Sequence, residues 1–375
     1  MTTIQDNLPN ILILAGDPGG ANALTPVIRA LLDDGRCRLV LHAYRQALDL
    51  WRQQGFDVHA LPAPCLPRER LEQLRPDLLL CATSCNGEDW EQAFIAAANE
   101  LGIPSLAVLD FWSNYRQRFT SPSRLLTLPD CIAVMDDLAR HEMIEEGFDP
   151  ARLIVTGQPV FDALPQERAD FTASDRRRAI RADMAGDKSL ILFASQPIAS
   201  LYRDLTGNPR HLGYDERQTL NMLVEALDTI GSTQPLRLHI LPHPREARES
   251  FTDLHARHTE ISVSEGQYTP HDLVMSADIV VGMNSMLLVE ACLLGALVLS
   301  LQPGLSGRDA LPTNRAGASL RVSNAGELER SLRELLYDES KRQTQSARLD
   351  AWRPMPGATA RVAGLVYRMI ARDIP

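Results

Sequence analysis

The residues best suited to chemistry in the second half of this 375-residue chain lie within residues 278–302. A short apolar run ends in a polar turn that contains Asn284 and Ser285, and Met286 then opens an apolar stretch of helical length. Free N–H groups at the beginning of a helix favour an anion, and a serine there can cap the helix or donate to a phosphate oxygen. The turn therefore predicts a phosphate site, and a serine that only caps its helix is the alternative.

A carboxylate stands on the apolar helix that follows this turn. Glu290 is one polar position among Met286, Leu287, Leu288 and Val289 on one side and Leu293 on the other. Burying a carboxylate is costly unless something pairs with it. A ribose diol, which donates two hydrogen bonds, is the partner that we predict; an arginine or a backbone amide is the alternative.

His243 lies between two prolines just after the strand predicted at residues 236–241, and Arg245 follows them. The prolines fix the backbone and remove competing N–H donors. We predict that His243 contacts a pyrophosphate or acts as an acid, with His243 and Arg245 both adding positive charge. Gln196, at the carboxyl end of the apolar run at residues 189–194, is assigned to the same ligand. A histidine with a structural role is the alternative.

In the first half of the chain, an apolar run at residues 10–15 leads into a glycine-rich turn. A helix is predicted from about residue 23 to residue 33. Gly19 and Gly20 let the backbone approach a ligand or another segment closely, so we assign them and Asn22 to ligand binding, with a simple tight turn as the alternative. The turn carries neither the GxGxxG fingerprint of dinucleotide sites nor the lysine of a Walker loop.

Two further strand ends carry polar or aromatic residues. Ser84 follows the strand predicted at residues 77–81, and Asp110 follows the one at residues 105–109. Asp110 is placed to act as a general base, and Asp17 is the second choice. Aromatic faces suit sugar rings, and arginines suit phosphate or carboxylate groups. We therefore predict that this region contacts an acceptor, through Ser84, Trp112, Asn114, Tyr115 and Arg116; a packed surface loop is the alternative.

Strands and helices alternate along both halves of the chain, which predicts α/β architecture with two doubly wound, Rossmann-like domains. We place the first domain at residues 1–165, a linker at 166–187 and the second domain at 188–353. A final helix within residues 354–375 is expected to return to the first domain. Residues 199–213 look irregular and are predicted to form a loop over a cleft.

Composition narrows the classes of function. The net charge of −10 argues against nucleic acid as the main partner. No apolar run approaches the ~20 residues that span a bilayer, and the polar N-terminal stretch does not resemble a signal peptide. The six cysteines are expected to be buried free thiols. We expect a cytoplasmic monomer or homodimer, with the inner face of the membrane as the alternative location.

The predicted architecture resembles the GT-B superfamily, which implies two Rossmann-like domains facing a cleft. The glycine-rich turn at residues 15–20, followed by a helix, looks like the opening of lipid-A-disaccharide synthase and of the UDP-N-acetylglucosamine 2-epimerases. His243 with Pro244 resembles the His-Pro motif of the epimerases, whose histidine contacts the nucleotide diphosphate. Ser285 and Glu290 resemble a signature in which the serine binds phosphate and the glutamate binds ribose.

The chain departs from the epimerases in two places. Met286 and Leu287 follow the turn serine, where the epimerases have glycines, and an aromatic segment beginning at Asp110 replaces their acidic segment. The resemblance thus implies nucleotide-sugar binding without assigning the acids and bases of epimerisation.

We expect a metal-independent glycosyltransferase without a cofactor, using a UDP-type sugar in surface polysaccharide or glycoconjugate synthesis. Its acceptor would be a glycan or a lipid-linked glycan, the latter reached by peripheral contact with the membrane. The alternatives are a hydrolysing or non-hydrolysing 2-epimerase, a polyol-phosphate transferase, and a non-catalytic nucleotide-sugar binder.

Overall fold

The computed structural model describes residues 8–61, 65–85, 88–120, 126–231, 235–251, 253–254 and 259–373. The chain divides into two compact units. Unit 1 comprises Met1–Asp162 and Pro354–Pro375, and unit 2 comprises Ala163–Arg353. Each unit contains its own hydrophobic core around a parallel sheet.

Unit 1 is built on a seven-stranded parallel sheet. Its strands are Asn10–Ala15 (β1), Arg38–Ala43 (β2), Val58–Ala60 (β3), Leu78–Cys81 (β4), Ser105–Val108 (β5), Cys131–Val134 (β6) and Leu153–Val155 (β7). The order is β3-β2-β1-β4-β5-β6-β7. Its first helices are Pro18–Asp34 (α1), Arg45–Gln53 (α2), Pro67–Leu74 (α3), Trp90–Leu101 (α4) and Asp137–Glu145 (α5). The central strands are apolar throughout because parallel strands are buried on both faces.

Unit 2 repeats this plan with six parallel strands. They are Ser189–Ala194 (β8), Leu236–Leu241 (β9), Ile261–Val263 (β10), Ile279–Gly282 (β11), Val298–Leu301 (β12) and Leu320–Val322 (β13), in the order β10-β9-β8-β11-β12-β13. The helices are Leu164–Ala173 (α6), Arg176–Met184 (α7), Ile198–Thr206 (α8), Glu216–Gly231 (α9), Pro270–Ser276 (α10), Met286–Leu293 (α11), Pro312–Arg315 (α12), Ala325–Tyr337 (α13) and Glu339–Ala351 (α14).

A terminal helix, Ala358–Ile370 (α15), completes unit 1 and confirms the predicted return to the first domain. It packs against α1 and β4, and its apolar face joins the core of unit 1. The Asp162 carboxylate accepts hydrogen bonds from the backbone N–H groups of Gly357, Ala358 and Thr359, at 2.7, 3.1 and 2.7 Å. These bonds satisfy N–H groups at the beginning of α15 that lack partners within the helix.

Two predicted segments differ in the structure. Helix α1 begins at Pro18 instead of about residue 23, because proline suits the first helical position, where its missing N–H costs nothing. Gly19, Gly20 and Asn22 therefore lie inside the helix. The segment at residues 199–213, predicted to be an irregular loop, contains α8, whose buried Ile198 and Tyr202 lie one turn apart. Residues 166–187, predicted to form a linker with a surface helix, contain most of α6 and the whole of α7.

The strand order of each sheet defines one switch point, which lies between two of its central strands. All strands run parallel, but the direction in which successive strands are added to the sheet reverses between β1 and β4 in unit 1, and between β8 and β11 in unit 2. Ligands of open α/β sheets bind outside the carboxyl ends of the strands at such switch points. Most of the predicted site residues follow β1, β4 and β5, or β8, β9 and β11, and so lie along these two edges.

Candidate functional site

The turn between β11 and α11 is fixed by side chains from neighbouring strands. The N–H of Asn284 donates to Oε1 of Gln196, which follows β8, at 2.9 Å. The carbonyl of Met283 accepts hydrogen bonds from Ser300 Oγ at 2.6 Å and from Gln302 Nε2 at 3.2 Å. The turn is therefore held in place across the switch point of unit 2. The structure brings the predicted residues Gln196 and Asn284 into contact.

Ser285 occupies the N-cap position of α11, but its side chain caps no backbone N–H. Its Oγ atom is buried and has no hydrogen-bond partner among the described residues. A buried hydroxyl without a partner costs about 1–3 kcal/mol, so an acceptor or donor from a ligand is the expected partner. The alternative of a serine that only caps its helix is therefore wrong. Met286 is the first residue of α11, where backbone N–H groups have no intrahelical acceptor.

Glu290 does not stand alone on α11. Its carboxylate lies 3.3 Å from Nε2 of His271, which is at the beginning of α10. Glu290 as a whole is only 9% exposed. The other ring nitrogen, Nδ1, lies 2.8 and 2.9 Å from the two carboxylate oxygens of Glu167 on α6. Burial disfavours the charged ring, but the hydrogen bonds and charges of Glu290 and Glu167 outweigh it and raise the pKa of His271 to about 9. His271 is therefore a cation at neutral pH.

The sequence analysis missed His271 and Glu167. The only local signal was a histidine in the first turn of the helix that begins at Pro270. The alternative of an arginine or a backbone amide beside Glu290 is wrong, because its partner is an imidazolium. The prediction that Glu290 also binds a ribose diol stays a prediction.

His243 and Arg245 follow β9 and are fixed by Glu246. Glu246 accepts hydrogen bonds from the backbone N–H of His243 and from Ser195 Oγ, both at 2.9 Å. The N–H of Arg245 donates to Nδ1 of His243 at 3.1 Å, which leaves the proton of the neutral ring on Nε2. Burial and the charge of Arg245 lower the pKa of His243 to about 4.

This geometry corrects one expectation about the loop after β9. His243 is a neutral hydrogen-bond donor near pH 7 and adds no positive charge. Arg245 is the cation of this loop, and its guanidinium forms no ion pair with the described residues. A ligand that needs a positive charge here must therefore obtain it from Arg245.

Asp110, the predicted base of unit 1, is paired with a buried arginine. Its Oδ1 accepts a hydrogen bond from Arg118, which also donates to the carbonyl of Thr83 at 2.7 Å and to that of Ser113 at 2.9 Å. Its Oδ2 faces Gly19, where an added Cβ would lie only 2.3 Å away. Oδ2 has no hydrogen-bond partner among the described residues.

A second carboxyl group, Glu91 in the first turn of α4, lies at the centre of a buried network in unit 1. Its Oε1 accepts a hydrogen bond from Ser84 Oγ at 2.5 Å, and its Oε2 accepts one from the hydroxyl of Tyr44. Ser84 Oγ in turn accepts the N–H of Asp17 at 3.1 Å, and Oδ2 of Asp17 accepts the N–H of Cys85 at 3.1 Å. Burial outweighs these hydrogen bonds and raises the pKa of Glu91 to about 7. The sequence analysis did not single out Glu91.

The glycines of α1 serve close packing between segments. A Cβ on Gly19 would meet the carboxylate of Asp110, and a Cβ on Gly20 would lie 2.4 Å from the side chain of Ala82. Both glycines thus let the beginning of α1 lie directly against the segments after β5 and β4. Contacts of Gly19, Gly20 and Asn22 with a ligand stay a prediction.

The aromatic segment after Asp110 is packed into unit 1. Trp112 and Tyr115 are only 3% and 2% exposed. The Trp112 indole N–H donates to Asp136 at 2.9 Å and its ring stacks on Phe161, while the Tyr115 hydroxyl donates to Glu142 at 2.7 Å. The expectation that these two rings face an acceptor is wrong, because both rings are buried and their polar atoms have partners in α5 and in its N-cap residue, Asp136.

The remaining members of the predicted acceptor set differ in exposure. Ser84 is buried in the network around Glu91. Asn114 is half-buried with a φ of 57°, and Arg116 is exposed and donates to the carbonyl of Glu146 at 2.9 Å. Asn114 and Arg116 are therefore the two predicted acceptor residues that solvent can reach.

Among the described residues, no helix is both long and apolar enough to cross a membrane. They contain no group of three or more histidine, cysteine, aspartate or glutamate side chains arranged to hold a metal ion. The six cysteines are free thiols, as predicted, and five of them are buried.

No family model matches this chain, and no curated protein matches it in sequence. Solved structures do resemble it. The Staphylococcus aureus MnaA–UDP co-structure has 16% sequence identity and a TM-score of 0.71, over 97% of each chain. The UDP-GlcNAc 2-epimerase from Neisseria meningitidis bound to UDP-GlcNAc has 16% identity and a TM-score of 0.69, over 97% of this chain and 100% of that one. The fold is GT-B.

MurG from Acinetobacter baumannii is also similar, with 14% identity and a TM-score of 0.58, over 96% of this chain and all of that one. The predicted fold class and the predicted resemblance to GT-B proteins are thereby confirmed. At identities of 14–16%, the likeness is one of fold.

Proposed function

We propose that this chain is an enzyme that binds a UDP-type nucleotide sugar through unit 2 and breaks the bond between the anomeric carbon and the diphosphate. The observation that carries this proposal is the buried hydroxyl of Ser285, which has no partner among the described residues. It lies at the beginning of α11 and at the switch point of the sheet. A helix N-terminus with an open hydroxyl donor suits a diphosphate.

The other groups at this edge of unit 2 suit the rest of such a ligand. Arg245 supplies positive charge, and the neutral ring of His243 offers its Nε2–H as a donor. Glu290 is available to the hydroxyl groups of a ribose. Fixed donors of this kind stabilise the charge that develops on a departing diphosphate, so we propose cleavage that needs no metal ion.

The comparisons support uridine as the base. Solved structures that match nearly the whole chain are described as containing UDP or UDP-GlcNAc. The pairing of Ser285 with Glu290 gives the same ligand class independently, because it provides one site for phosphate and one for ribose.

For the fate of the sugar, epimerisation is the first candidate. It requires a proton to be removed and returned, and the network of unit 1 offers a carboxyl group, Glu91, whose pKa of about 7 suits both directions of transfer. Asp17, linked to Glu91 through Ser84, and Oδ2 of Asp110 are the further carboxyl groups of unit 1 that we propose for proton transfer.

Transfer to an acceptor is the second candidate. It is favoured by the departures from the epimerase motifs at Met286 and Leu287, and by the accessible side chains of Asn114 and Arg116. Burial of Trp112 and Tyr115 weighs against it, because it removes the aromatic surface on which an acceptor sugar would stack.

Incubation of the protein with UDP-GlcNAc in D2O, without an acceptor, separates these functions by NMR. An epimerase that abstracts the C2 proton gives an epimer carrying deuterium at C2, whereas a hydrolase gives free UDP and sugar. If UDP-GlcNAc binds but stays chemically unchanged, transfer to an acceptor is the remaining function, and it is tested by adding candidate acceptors. Absence of binding by UDP, GDP, CDP and dTDP at millimolar concentration would contradict the proposal itself.

A further inference from the structure

One oxygen of the Glu290 carboxylate has a hydrogen-bond partner among the described residues, and the other has none. Its Oε2 lies 3.3 Å from Nε2 of His271, whereas its Oε1 makes no hydrogen bond with the described residues. The neighbouring positions on α11 are apolar, so the carboxylate is held in a region of low polarity. A carboxylate in such a place takes up a proton unless a cation stays beside it.

The contacts of His271 determine its protonation state. Glu167 accepts at Nδ1 and Glu290 accepts at Nε2, and a carboxylate can only accept. A neutral imidazole carries a single N–H, so it could serve one of these carboxylates and would present a lone pair to the other. Only the imidazolium serves both. The elevated pKa of His271 agrees with this geometric argument.

The surroundings of the ring supply no competing charge. Helix α10, which carries His271, packs against α6, α7, α11 and β8. The charged groups facing the ring are Glu167 from α6 and Glu290 from α11. From α7, Arg176 is paired with Asp272, and the residues of β8 include no titratable side chain. Among the described residues, His271 is therefore the counter-ion of Glu290.

Resting on the proposed function, we propose that His271 is a positioning residue that keeps Glu290 ionised and leaves its Oε1 open to the sugar hydroxyls of the nucleotide. The site then selects ribonucleoside diphosphates over their 2′-deoxy counterparts. Removal of the 2′-hydroxyl leaves this carboxylate oxygen, in a residue that is only 9% exposed, without its donor, and sites built to bond a hydroxyl reject analogues that lack it.

Calorimetric titration of UDP and 2′-deoxy-UDP tests this inference. In the wild type, we expect UDP to bind at least ~10-fold more tightly. His271→Gln removes the cation, so the affinity for UDP should fall about 10-fold while that for 2′-deoxy-UDP changes little, and the discrimination collapses. The exposed His211 provides the matched control, and His211→Gln should alter neither affinity.

A second variant and a pH series test the inference even if His271→Gln does not fold. Glu167→Gln leaves the ring in place but removes one of the charges that keep it protonated. In the wild type, the preference for UDP should persist through neutral pH and decline as the pH passes about 9, where the ring loses its proton. In Glu167→Gln, the decline should begin at a lower pH.

Two results have different meanings. Failure of the wild type to bind any nucleoside diphosphate would overturn the proposed function. Tight UDP binding with an unchanged ratio of UDP to 2′-deoxy-UDP affinity in folded His271→Gln and Glu167→Gln would overturn the role of His271 alone.

Discussion

The two units have the same strand order around their switch points, but they differ in how many polar side chains there have hydrogen-bond partners within the unit. In unit 1, both oxygens of Glu91 accept hydroxyl hydrogen bonds, and Asp110 is paired with Arg118. In unit 2, Ser285 Oγ and the guanidinium of Arg245 have no partners among the described residues. At the first edge, Glu91 and Oδ1 of Asp110 have internal partners, and Oδ2 of Asp110 has none among the described residues. At the second edge, the groups without such partners are a hydroxyl and a guanidinium.

The difference also concerns charge. The residues that follow β1, β4 and β5 bring together the carboxyl groups of Asp17, Glu91 and Asp110. In unit 2, cations stand among carboxylates: Arg245 forms no ion pair with the described residues, and His271 is an imidazolium between Glu167 and Glu290. The same strand order thus presents three carboxyl groups in one unit and an unpartnered hydroxyl with an arginine in the other, and the side chains after each strand determine this difference.

The largest expected effect concerns the internal pairing of unit 1. Arg118→Leu should reduce the free energy of unfolding of unit 1 by about 3–5 kcal/mol, because it leaves Asp110 and the carbonyls of Thr83 and Ser113 without their buried donor. Urea unfolding, with hydrogen exchange of β1 and β4 to report unit 1, measures this. Arg68→Ala, which removes two exposed ion pairs, is the control and should cost less than about 1 kcal/mol. A loss below 1 kcal/mol in Arg118→Leu would show that the pairing is not a stabilising feature.

The pH dependence of stability should differ between the units. The pKa of Glu91 is raised from 4.5 to about 7, so the folded state holds this proton longer than the unfolded state, and stability falls as the pH rises across that window. The pKa of His271 is raised from 6.5 to about 9, so its contribution, present below 6.5, is lost as the pH rises toward 9. Each change is of order 3 kcal/mol at about 1.4 kcal/mol per pKa unit.

Hydrogen exchange between pH 5 and pH 9 resolves the two windows by peptide. Glu91→Gln should remove the lower window from unit 1, and His271→Gln should remove the upper one from unit 2. A wild-type profile that is flat in both units would contradict the assigned protonation states.

The smallest expected change in the free energy of unfolding is that of Ser285→Ala, and it should differ clearly from that of Ser84→Ala. Ser84→Ala should cost about 1–3 kcal/mol, because Glu91 and the N–H of Asp17 both lose a partner. Ser285→Ala should change stability by less than about 0.5 kcal/mol or increase it, because its hydroxyl has no partner to lose. Equal losses in the two variants would mean that Ser285 has an internal role after all.

Much of the fold was predictable because strands buried on both faces leave continuous apolar runs, such as those at β1 and β8, between turn residues. Elements with few buried residues left no such signal. Helix α14 buries only Gln345 and Leu349, and β13 buries only Val322. Neither was predicted.

Site residues could be predicted where they lie close together in the sequence. They could not be predicted where the contact joins segments that are distant in the sequence. Ser285 and Glu290 share a turn and a helix. The contact of His271 with Glu167 joins positions 104 residues apart, and no local pattern reports it. The burial of Trp112 likewise depends on Asp136, 24 residues away in sequence.

The measurement that tests the central claim most directly is calorimetric titration of UDP into the wild type, Ser285→Ala, Ser84→Ala and the exposed control Ser346→Ala. The account predicts that Ser285→Ala weakens UDP binding by about 10-fold or more, while Ser346→Ala and folded Ser84→Ala retain the wild-type affinity. Wild-type affinity in Ser285→Ala, or no UDP binding by the wild type, would contradict the assignment of the nucleotide to the switch point of unit 2.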